Sequence, residues 1–201
     1  MKAVLGLMLL ISLTTATGAA SQQPFDFYVM SLSWSPQFCA IRPDDRQCGR
    51  NYGVVLHGLW PQYEKGYPQN CSQEKLPKKL LNNFEGLYPS KRLAIHEWSK
   101  HGTCSGLTPS EYLTLSQTLK RSIKSPQLLE NMQQPLRVTA SEFKKQIIQA
   151  NNALTDDALA LSCADGGRFL QEIYVCFNRA GTAPIACSSE IQRRSRKSCG
   201  Q

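Results

Sequence analysis

Two short apolar segments in the first third of the chain have the pattern of β-strands. Phe25–Trp34 alternates around aromatic and branched residues and is closed by Ser35-Pro36, which favours a strand followed by a turn. Gly53–Trp60 is apolar on both sides, and this pattern predicts a buried central strand that stops at Pro61. The intervening residues, Cys39 to Asn51, are polar and predict a loop.

The middle of the chain has the spacing of helices. After a polar loop from Gln62 to Lys75, apolar residues form a helical stripe from Pro77 to Leu87. Another helix is predicted to follow Pro89. Two capping boxes predict the next helices: Thr108-Pro109-Ser110-Glu111, leading to about Lys124, and Thr139-Ala140-Ser141-Glu142, leading to about Ala150.

The last third of the chain returns to strand patterns, at Ala158–Cys163 and Phe169–Phe177. Strands at both ends of the chain with helices between them favour an α+β fold with a central antiparallel β-sheet flanked by helices. The basic residues from Arg193 to Lys197 are interpreted as an exposed loop, because a charge run is more often a solvated face than a site.

The first twenty residues have the pattern of a secretory signal peptide. Lys2 is followed by the apolar residues Val4 to Leu13 and then by small residues ending at Gly18-Ala19-Ala20. Cleavage is expected after Ala19 or Ala20, and the alternative is a retained apolar anchor. With no run of eighteen apolar residues, a spanning helix is not expected, and residues 21–201 suit one compact domain.

Cysteine content and charge narrow the functional class. The 8 cysteines behind such a signal indicate an oxidising compartment and about four disulfides, with about 105 possible pairings. The absence of any Cys-x-x-Cys pair disfavours a zinc site, and neither a metal nor another cofactor is predicted. A net charge of +8 favours an anionic partner, with nucleic acid ahead of a membrane surface.

The densest group of ionisable residues is the segment HEWSKHGTC, His96 to Cys104. At about 100° per residue, a helix places His96, Glu97, Lys100 and His101 on one side. Glu97 and His101 are then predicted to pair across one turn, and Gly102 to end the helix. A zinc protease needs histidines four positions apart, whereas these are five apart, so metal-dependent hydrolysis is disfavoured.

The segment HGLWPQ, His57 to Gln62, supplies the third histidine. His57 and His101 can form a general acid and base pair, because an unperturbed histidine pKa of about 6.5 allows either form near neutral pH. Such a pair can cut RNA without a metal: one imidazole takes the proton of a ribose 2'-hydroxyl while the other protonates the departing 5'-oxygen. His96 and Lys100 would stabilise the charge on phosphate. DNA lacks the attacking hydroxyl and should survive.

HGLWPQY and HEWSKHGTC closely resemble the two catalytic segments of the ribonuclease T2 family, and the resemblance extends from FYVMSLSWSPQFC to the terminal cysteines. It implies an α+β fold with an antiparallel sheet, and cleavage through a 2',3'-cyclic phosphate to 3'-phosphate ends with broad base preference. By this resemblance His57 is the general acid, His101 the general base, and Glu97 supports the transition state. The residues it implies in substrate binding are His96, Lys100, Trp60 and Gln62.

The resemblance also implies a disulfide pattern, in which one bond joins the segment after HGLWPQ to the end of HEWSKHGTC. The implied pairs are Cys39 with Cys48, Cys71 with Cys104, Cys163 with Cys199, and Cys176 with Cys187.

The sequence therefore predicts a secreted or periplasmic endoribonuclease, extracellular, vacuolar or lysosomal in a eukaryote, that acts as a monomer on single-stranded RNA. It is not expected to cleave DNA. After removal of the signal peptide, it is not expected to associate with a membrane. Two alternatives stay open: a basic RNA-binding or signalling protein with vestigial catalysis, and a metal-dependent nuclease. The first has no chemical need for His57, His101 and Glu97 together, and the second needs ligand clusters that the sequence lacks.

Overall fold

The computed structural model describes residues 24–129 and 136–200. The predicted signal peptide lies outside these residues. Within the described ranges, no helix is both long enough and apolar enough to cross a membrane.

Four antiparallel strands form one sheet in the order β2-β1-β4-β3. This arrangement confirms the predicted α+β fold with its antiparallel sheet. The strands are β1 Phe27–Trp34, β2 Val54–Gln62, β3 Leu159–Ala164 and β4 Phe169–Asn178.

Helices surround this sheet, and both predicted capping boxes are formed. Thr108 and Thr139 each accept a hydrogen bond from the backbone of the glutamate three residues later, whose side chain bonds back to the capping residue. The α-helices in the described residues are α1 Ser35–Ile41, α2 Lys91–Lys100, α3 Pro109–Ser122, α4 Ala140–Ala150 and α5 Ser189–Cys199. Short 3-10 turns lie at Leu80–Phe84, Gly102–Cys104, Gln127–Leu129 and Asp156–Ala158.

The two faces of the sheet differ in what they pack against. One face forms the main core with the helices, and its buried residues include Met30, Leu56, Leu59, Trp98, Tyr112 and Ile147. The other face carries a smaller apolar cluster that includes Phe27, Val29, Ala160 and Cys176, with Trp60 and Tyr174 at its border. Side chains of this second face form the floor of a cleft.

β2 is an edge strand, and the prediction of a central strand ending at Pro61 is wrong. The strand continues through Pro61 to Gln62, which the sequence pattern assigned to a loop. An edge strand tolerates proline because one of its sides has no hydrogen-bonding neighbour. Its residues are apolar on both sides because Leu56 and Leu59 face the main core while Trp60 borders the second face.

Three local predictions also need correction. Cys39 lies in the short helix α1, which begins at the Ser35-Pro36 expected to make a turn; proline suits the first helical positions. The apolar stripe at 77–87 forms only the short 3-10 turn. The basic residues of the tail lie in α5, not in a loop, and Gly200 ends that helix with a φ of 69°.

All four implied disulfides are present, with Cα–Cα distances of 5.0 to 5.5 Å. Cys71–Cys104 joins the loop after β2 to the 3-10 turn after α2. Cys163–Cys199 joins β3 to the end of α5. These two disulfides therefore attach α5 to one edge strand, and the loop that follows the other edge strand to the turn after α2.

Candidate active site

His57 lies at an irregularity in β2. β1 pairs Ser31 with Gly58 but Leu32 with Leu56, so His57 is an extra residue opposite β1. A β-bulge of this kind bends the strand and redirects a side chain. The His57 side chain is 32% exposed and enters the cleft on the second face of the sheet.

Glu172 on β4 holds the His57 ring, although the sequence pattern did not single it out. Nδ1 of His57 is hydrogen-bonded to Oε1 of Glu172. The same carboxylate accepts hydrogen bonds from the Ser33 hydroxyl at 3.2 Å and the Tyr174 hydroxyl at 2.6 Å. A second β-bulge, between β3 and β4, leaves Gln171 next to Glu172 without an opposite residue in β3. The sequence feature that could have identified Glu172 is a carboxylate within an otherwise apolar strand, because such a group is costly to bury unless it is paired.

α2 presents Glu97 to the opposite side of His57. The helix is capped by Ser90, and the Trp98 ring is buried in the main core, so the rotation of the helix is fixed. Glu97 is only 1% exposed. Its Oε2 accepts a hydrogen bond from Nε1 of Trp60 at 2.7 Å, and its Oε1 lies 3.6 Å from Nε2 of His57.

The predicted pair between Glu97 and His101 is not formed. α2 ends at Lys100, and His101 has φ and ψ of −120° and −46°, so its side chain does not stand one helical turn above Glu97. The carboxylate of Glu97 turns to Trp60 and His57 instead. Gly102 does not end the helix either; it begins the 3-10 turn that follows His101.

His101 is 5% exposed and packs between aromatic rings. Its ring centroid lies 5.3 Å from that of Trp60 and 5.8 Å from that of Tyr67. Within the described part of the chain, its buried Nδ1 has no hydrogen-bond partner. Among the described residues, no carboxylate is therefore bonded to Nδ1 of His101, in contrast to Nδ1 of His57.

The two imidazoles have pKa values that are shifted in opposite directions. Burial, with the positive charges of Lys100, His57 and His96, lowers the pKa of His101 to about 3. Burial also lowers the pKa of His57, but the hydrogen bond and charge of Glu172 and the charge of Glu97 outweigh it, so the net shift is upward. Near neutral pH, His101 is therefore unprotonated, and the protonated form of His57 is more accessible than that of an ordinary histidine.

The pKa values of the two carboxyl groups, Glu97 and Glu172, are also shifted in opposite directions. Burial raises the pKa of Glu97, and the nearby charge of His57 and the hydrogen bond from Trp60 offset only part of that effect. Burial is also the largest single influence on Glu172, but the hydrogen bond and charge of His57 and the hydrogen bond from Tyr174 together outweigh it and lower the pKa. Glu172 therefore stays ionised, while the protonated form of Glu97 is more accessible than that of an ordinary glutamate.

One cleft of about 390 Å³ contains every residue that the sequence selected for the site. His96 is largely exposed at its rim, whereas Gln62 is buried and its amide donates a hydrogen bond to the Pro61 carbonyl at 3.0 Å. Tyr67, Tyr174 and residues of α5 complete the wall. In residues 24–129 and 136–200, no group of three or more His, Cys, Asp or Glu side chains is arranged to hold a metal ion.

Several known proteins are similar to this chain. The model of the Ribonuclease T2 family matches residues 25–187. A ribonuclease of Aeromonas hydrophila is 42% identical over 196 residues, which cover 94% of this chain and 88% of the relative. The crystal structure of RNase NT in complex with 5'-AMP matches with a TM-score of 0.64 and 26% identity, covering 83% of this chain and 92% of that one. Ribonuclease MC1 from bitter gourd seeds, at 20% identity, shares the fold with a TM-score of 0.66 over 81% of this chain and 94% of its own.

Gly58 is predicted to be essential for the packing of this site. A Cβ atom at position 58 would overlap Oε2 of Glu97 and Nε1 of Trp60. We expect Gly58→Ala to lower the free energy of unfolding by about 1–3 kcal/mol, because the hydrogen-bonded side chains of Glu97 and Trp60 must move apart. Gly53→Ala in the adjoining segment is the control, since its Cβ would lie 3.6 Å from Trp34 in ordinary contact. Urea unfolding measures both, and equal stability of the two variants would contradict this interpretation.

Proposed function

Because the chain belongs to the ribonuclease T2 family and is an endoribonuclease of that type, we propose that it cleaves single-stranded RNA without a metal ion. Cleavage proceeds through a 2',3'-cyclic phosphate and leaves 3'-phosphate ends. The observation that carries this proposal is the pair of imidazoles in one cleft with oppositely shifted pKa values: His57, raised by Glu172 and Glu97 despite burial, and His101, lowered by burial. General acid–base catalysis needs this difference in protonation at one pH.

The first step follows from these protonation states. His101 takes the proton from the 2'-hydroxyl, whose oxygen forms a bond to phosphorus. The bond from phosphorus to the 5'-oxygen breaks, and His57 transfers its proton to that oxygen. In the second step the roles exchange: His57 takes a proton from water, and the hydroxide oxygen bonds to phosphorus. The bond from phosphorus to the 2'-oxygen breaks, and His101 returns its proton to that oxygen.

Glu172 acts as a positioning residue for His57 in this scheme. Its bond to Nδ1 fixes the ring so that Nε2, which lies 3.6 Å from Glu97, carries the transferred proton. Its negative charge also stabilises the imidazolium form that donates the proton. Tyr174 and Ser33 orient the carboxylate by donating hydrogen bonds to it.

Charge that develops on the non-bridging oxygens is stabilised from α2. Lys100 and His96 line the cleft and supply cationic or hydrogen-bonding groups. Glu97, whose pKa burial raises, donates a hydrogen bond to phosphate when protonated. Its place beside His57 and Trp60, not beside His101, directs that bond to the acid side of the site.

Base binding is assigned mainly to aromatic side chains. Trp60 is hydrogen-bonded to Glu97 and its ring lies 5.2 Å from His57 and 5.3 Å from His101, so it chiefly positions the catalytic groups. Tyr67 is 41% exposed in the cleft and is better placed to stack on a base. Gln62 keeps a smaller part in base binding, because its amide nitrogen already bonds to Pro61.

The remaining parts of the proposal concern location and partners. Residues 1–20 direct export, and residues 21–201 form a single catalytic domain that acts as a monomer. Four disulfides suit a secreted or periplasmic protein in an oxidising compartment. DNA is not cleaved, because the attacking 2'-hydroxyl is missing.

The chemistry is tested by incubating the purified protein with RNA and with DNA in excess chelator. We expect RNA to be cut to cyclic and 3'-phosphate ends and DNA to remain intact. His57→Ala and His101→Ala should each lower kcat by about 10²–10⁴-fold, because each removes one proton-transfer group. Loss of activity with chelator, equal attack on DNA, or wild-type rates in either folded variant would refute the proposed mechanism. An RNA-binding protein with vestigial catalysis would bind RNA without producing these ends.

The positioning role of Glu172 predicts a change in the pH dependence of kcat/KM. Glu172 raises the pKa of His57 against the effect of burial, so Glu172→Gln should lower that pKa and move the alkaline limb to lower pH. The acid limb should stay in place, well below pH 6.5, because the low pKa of His101 arises mainly from its burial. Ser33→Ala is the control, since it removes one hydrogen bond to Glu172 but leaves the carboxylate charge. An unchanged alkaline limb in Glu172→Gln would exclude this role.

A further inference from the structure

α5 forms one wall of the cleft, although this helix lies outside the residues that the family model matches. The helix spans Ser189–Cys199, whereas the family model matches only residues 25–187. Ile191, Arg194, Ser195 and Ser198 of α5 nevertheless line the same cleft as the two catalytic histidines. The wall therefore consists of residues that have no role in the proposed chemistry.

This helix is firmly attached to the edge strand β3. The Ser195 hydroxyl accepts a hydrogen bond from the Leu161 backbone at 2.8 Å, and the Ser198 hydroxyl accepts one from the Cys163 backbone at 3.3 Å. Cys163 is also disulfide-bonded to Cys199 at the end of the helix. α5 thus holds its charged side chains at fixed positions beside the sheet.

Arg194 is the cation that α5 directs into the cleft. Of the four basic residues in this fully described helix, only Arg194 lines it. Arg196 is two positions later, which places it about 200° around the helix. Burial raises the pKa of the Tyr174 hydroxyl, and the positive charge of Arg194 opposes that shift, so the charge is felt next to the carboxylate that holds His57.

The guanidinium of Arg194 is available to an anionic ligand. Its side chain is 63% exposed and pairs with Glu190 one helical turn earlier. Such an exposed pair is weak, and Glu190 also accepts a hydrogen bond from the Gly66 backbone at 2.9 Å. α5 contains one acidic residue and four basic residues, so its net charge is positive.

We propose that Arg194 binds a phosphate of the RNA chain other than the one that is cleaved, so that α5 forms a second phosphate subsite. α2 packs beside β2 and α5 beside β3, at opposite edges of the sheet. The backbones of these edge strands are three strand spacings apart, about 14 Å, so Lys100 and Arg194 approach a bound RNA chain from opposite sides of the cleft. Arginine suits this role because its planar guanidinium makes bidentate hydrogen bonds to phosphate. The subsite rests on the proposed function for its substrate, RNA.

Substrate length tests the subsite. We expect Arg194→Gln to lower kcat/KM for an oligoribonucleotide about tenfold, mainly through KM, because one charge-assisted contact is lost. A dinucleoside monophosphate carries only the scissile phosphate and should be cleaved at the wild-type rate. Arg196→Gln removes the same charge from the opposite side of α5, and less than about a twofold change is expected with either substrate.

Binding measurements separate this subsite from the proposed catalysis. Fluorescence anisotropy with a 2'-O-methyl oligoribonucleotide, which cannot be cleaved by attack of the 2'-oxygen, should give an about tenfold weaker Kd for Arg194→Gln. The slope of log K against log salt should fall by about 0.7 for the lost contact. If the wild type fails to cleave RNA but this selective loss of binding is seen, the proposed function fails and the subsite stands. Equal behaviour of Arg194→Gln and Arg196→Gln, or an equal loss with the dinucleoside monophosphate, would overturn the subsite.

Discussion

The hydrogen bond from His57 to Glu172 links the fold of this protein to its chemistry. It crosses the sheet from the edge strand β2 to β4, over the central strand β1. Each of its two residues lies at or beside a β-bulge, so both irregularities of the sheet lie next to this pair. A buried carboxylate is costly without a partner, and the imidazole satisfies it while gaining a fixed orientation. The same pair therefore contributes to the stability of the sheet and to the proposed cleavage reaction.

In the described part of the chain, burial in the same cleft shifts the pKa values of His57 and His101 apart, because His57 has a carboxylate partner and Nδ1 of His101 has none. Burial disfavours the charged form of both rings and so lowers both pKa values. Glu172 and Glu97 reverse that effect at His57. At His101 the nearest charges are positive, and they add to the effect of burial. The proposed acid and the proposed base are thus distinguished by their neighbours, although the two side chains are chemically identical.

The two capping boxes were predictable from sequence because their determinants lie within a few residues. The capping box at Thr108 and Glu111, for example, needs nothing beyond its own turn. α5 was missed because it has no apolar stripe; serine hydroxyls and a disulfide attach it to β3 instead. The disulfide pattern followed only from the family resemblance, since the spacings alone leave about 105 choices.

The sequence predicted which residues lie in the site better than it predicted the contacts between them. All the site residues predicted from the two motifs line one cleft. The expected bond between Glu97 and His101 is not formed, because α2 ends one residue too early for helical geometry. Glu172 was not found because it lies 115 residues from His57 in sequence. No local periodicity connects two strands at that separation; only the order of strands in the sheet brings them together.

The central claim is that His57 is the imidazole stabilised as a cation and His101 the one kept neutral. NMR titration of the imidazole resonances of the wild-type protein, assigned with His57→Ala and His101→Ala, measures both protonation states directly. We expect His57 to titrate above the unperturbed value of about 6.5, because Glu172 and Glu97 outweigh its burial, and the pKa of buried His101 to lie well below that value. Titration of both histidines together near 6.5, or the reverse order, would contradict the assignment of acid and base.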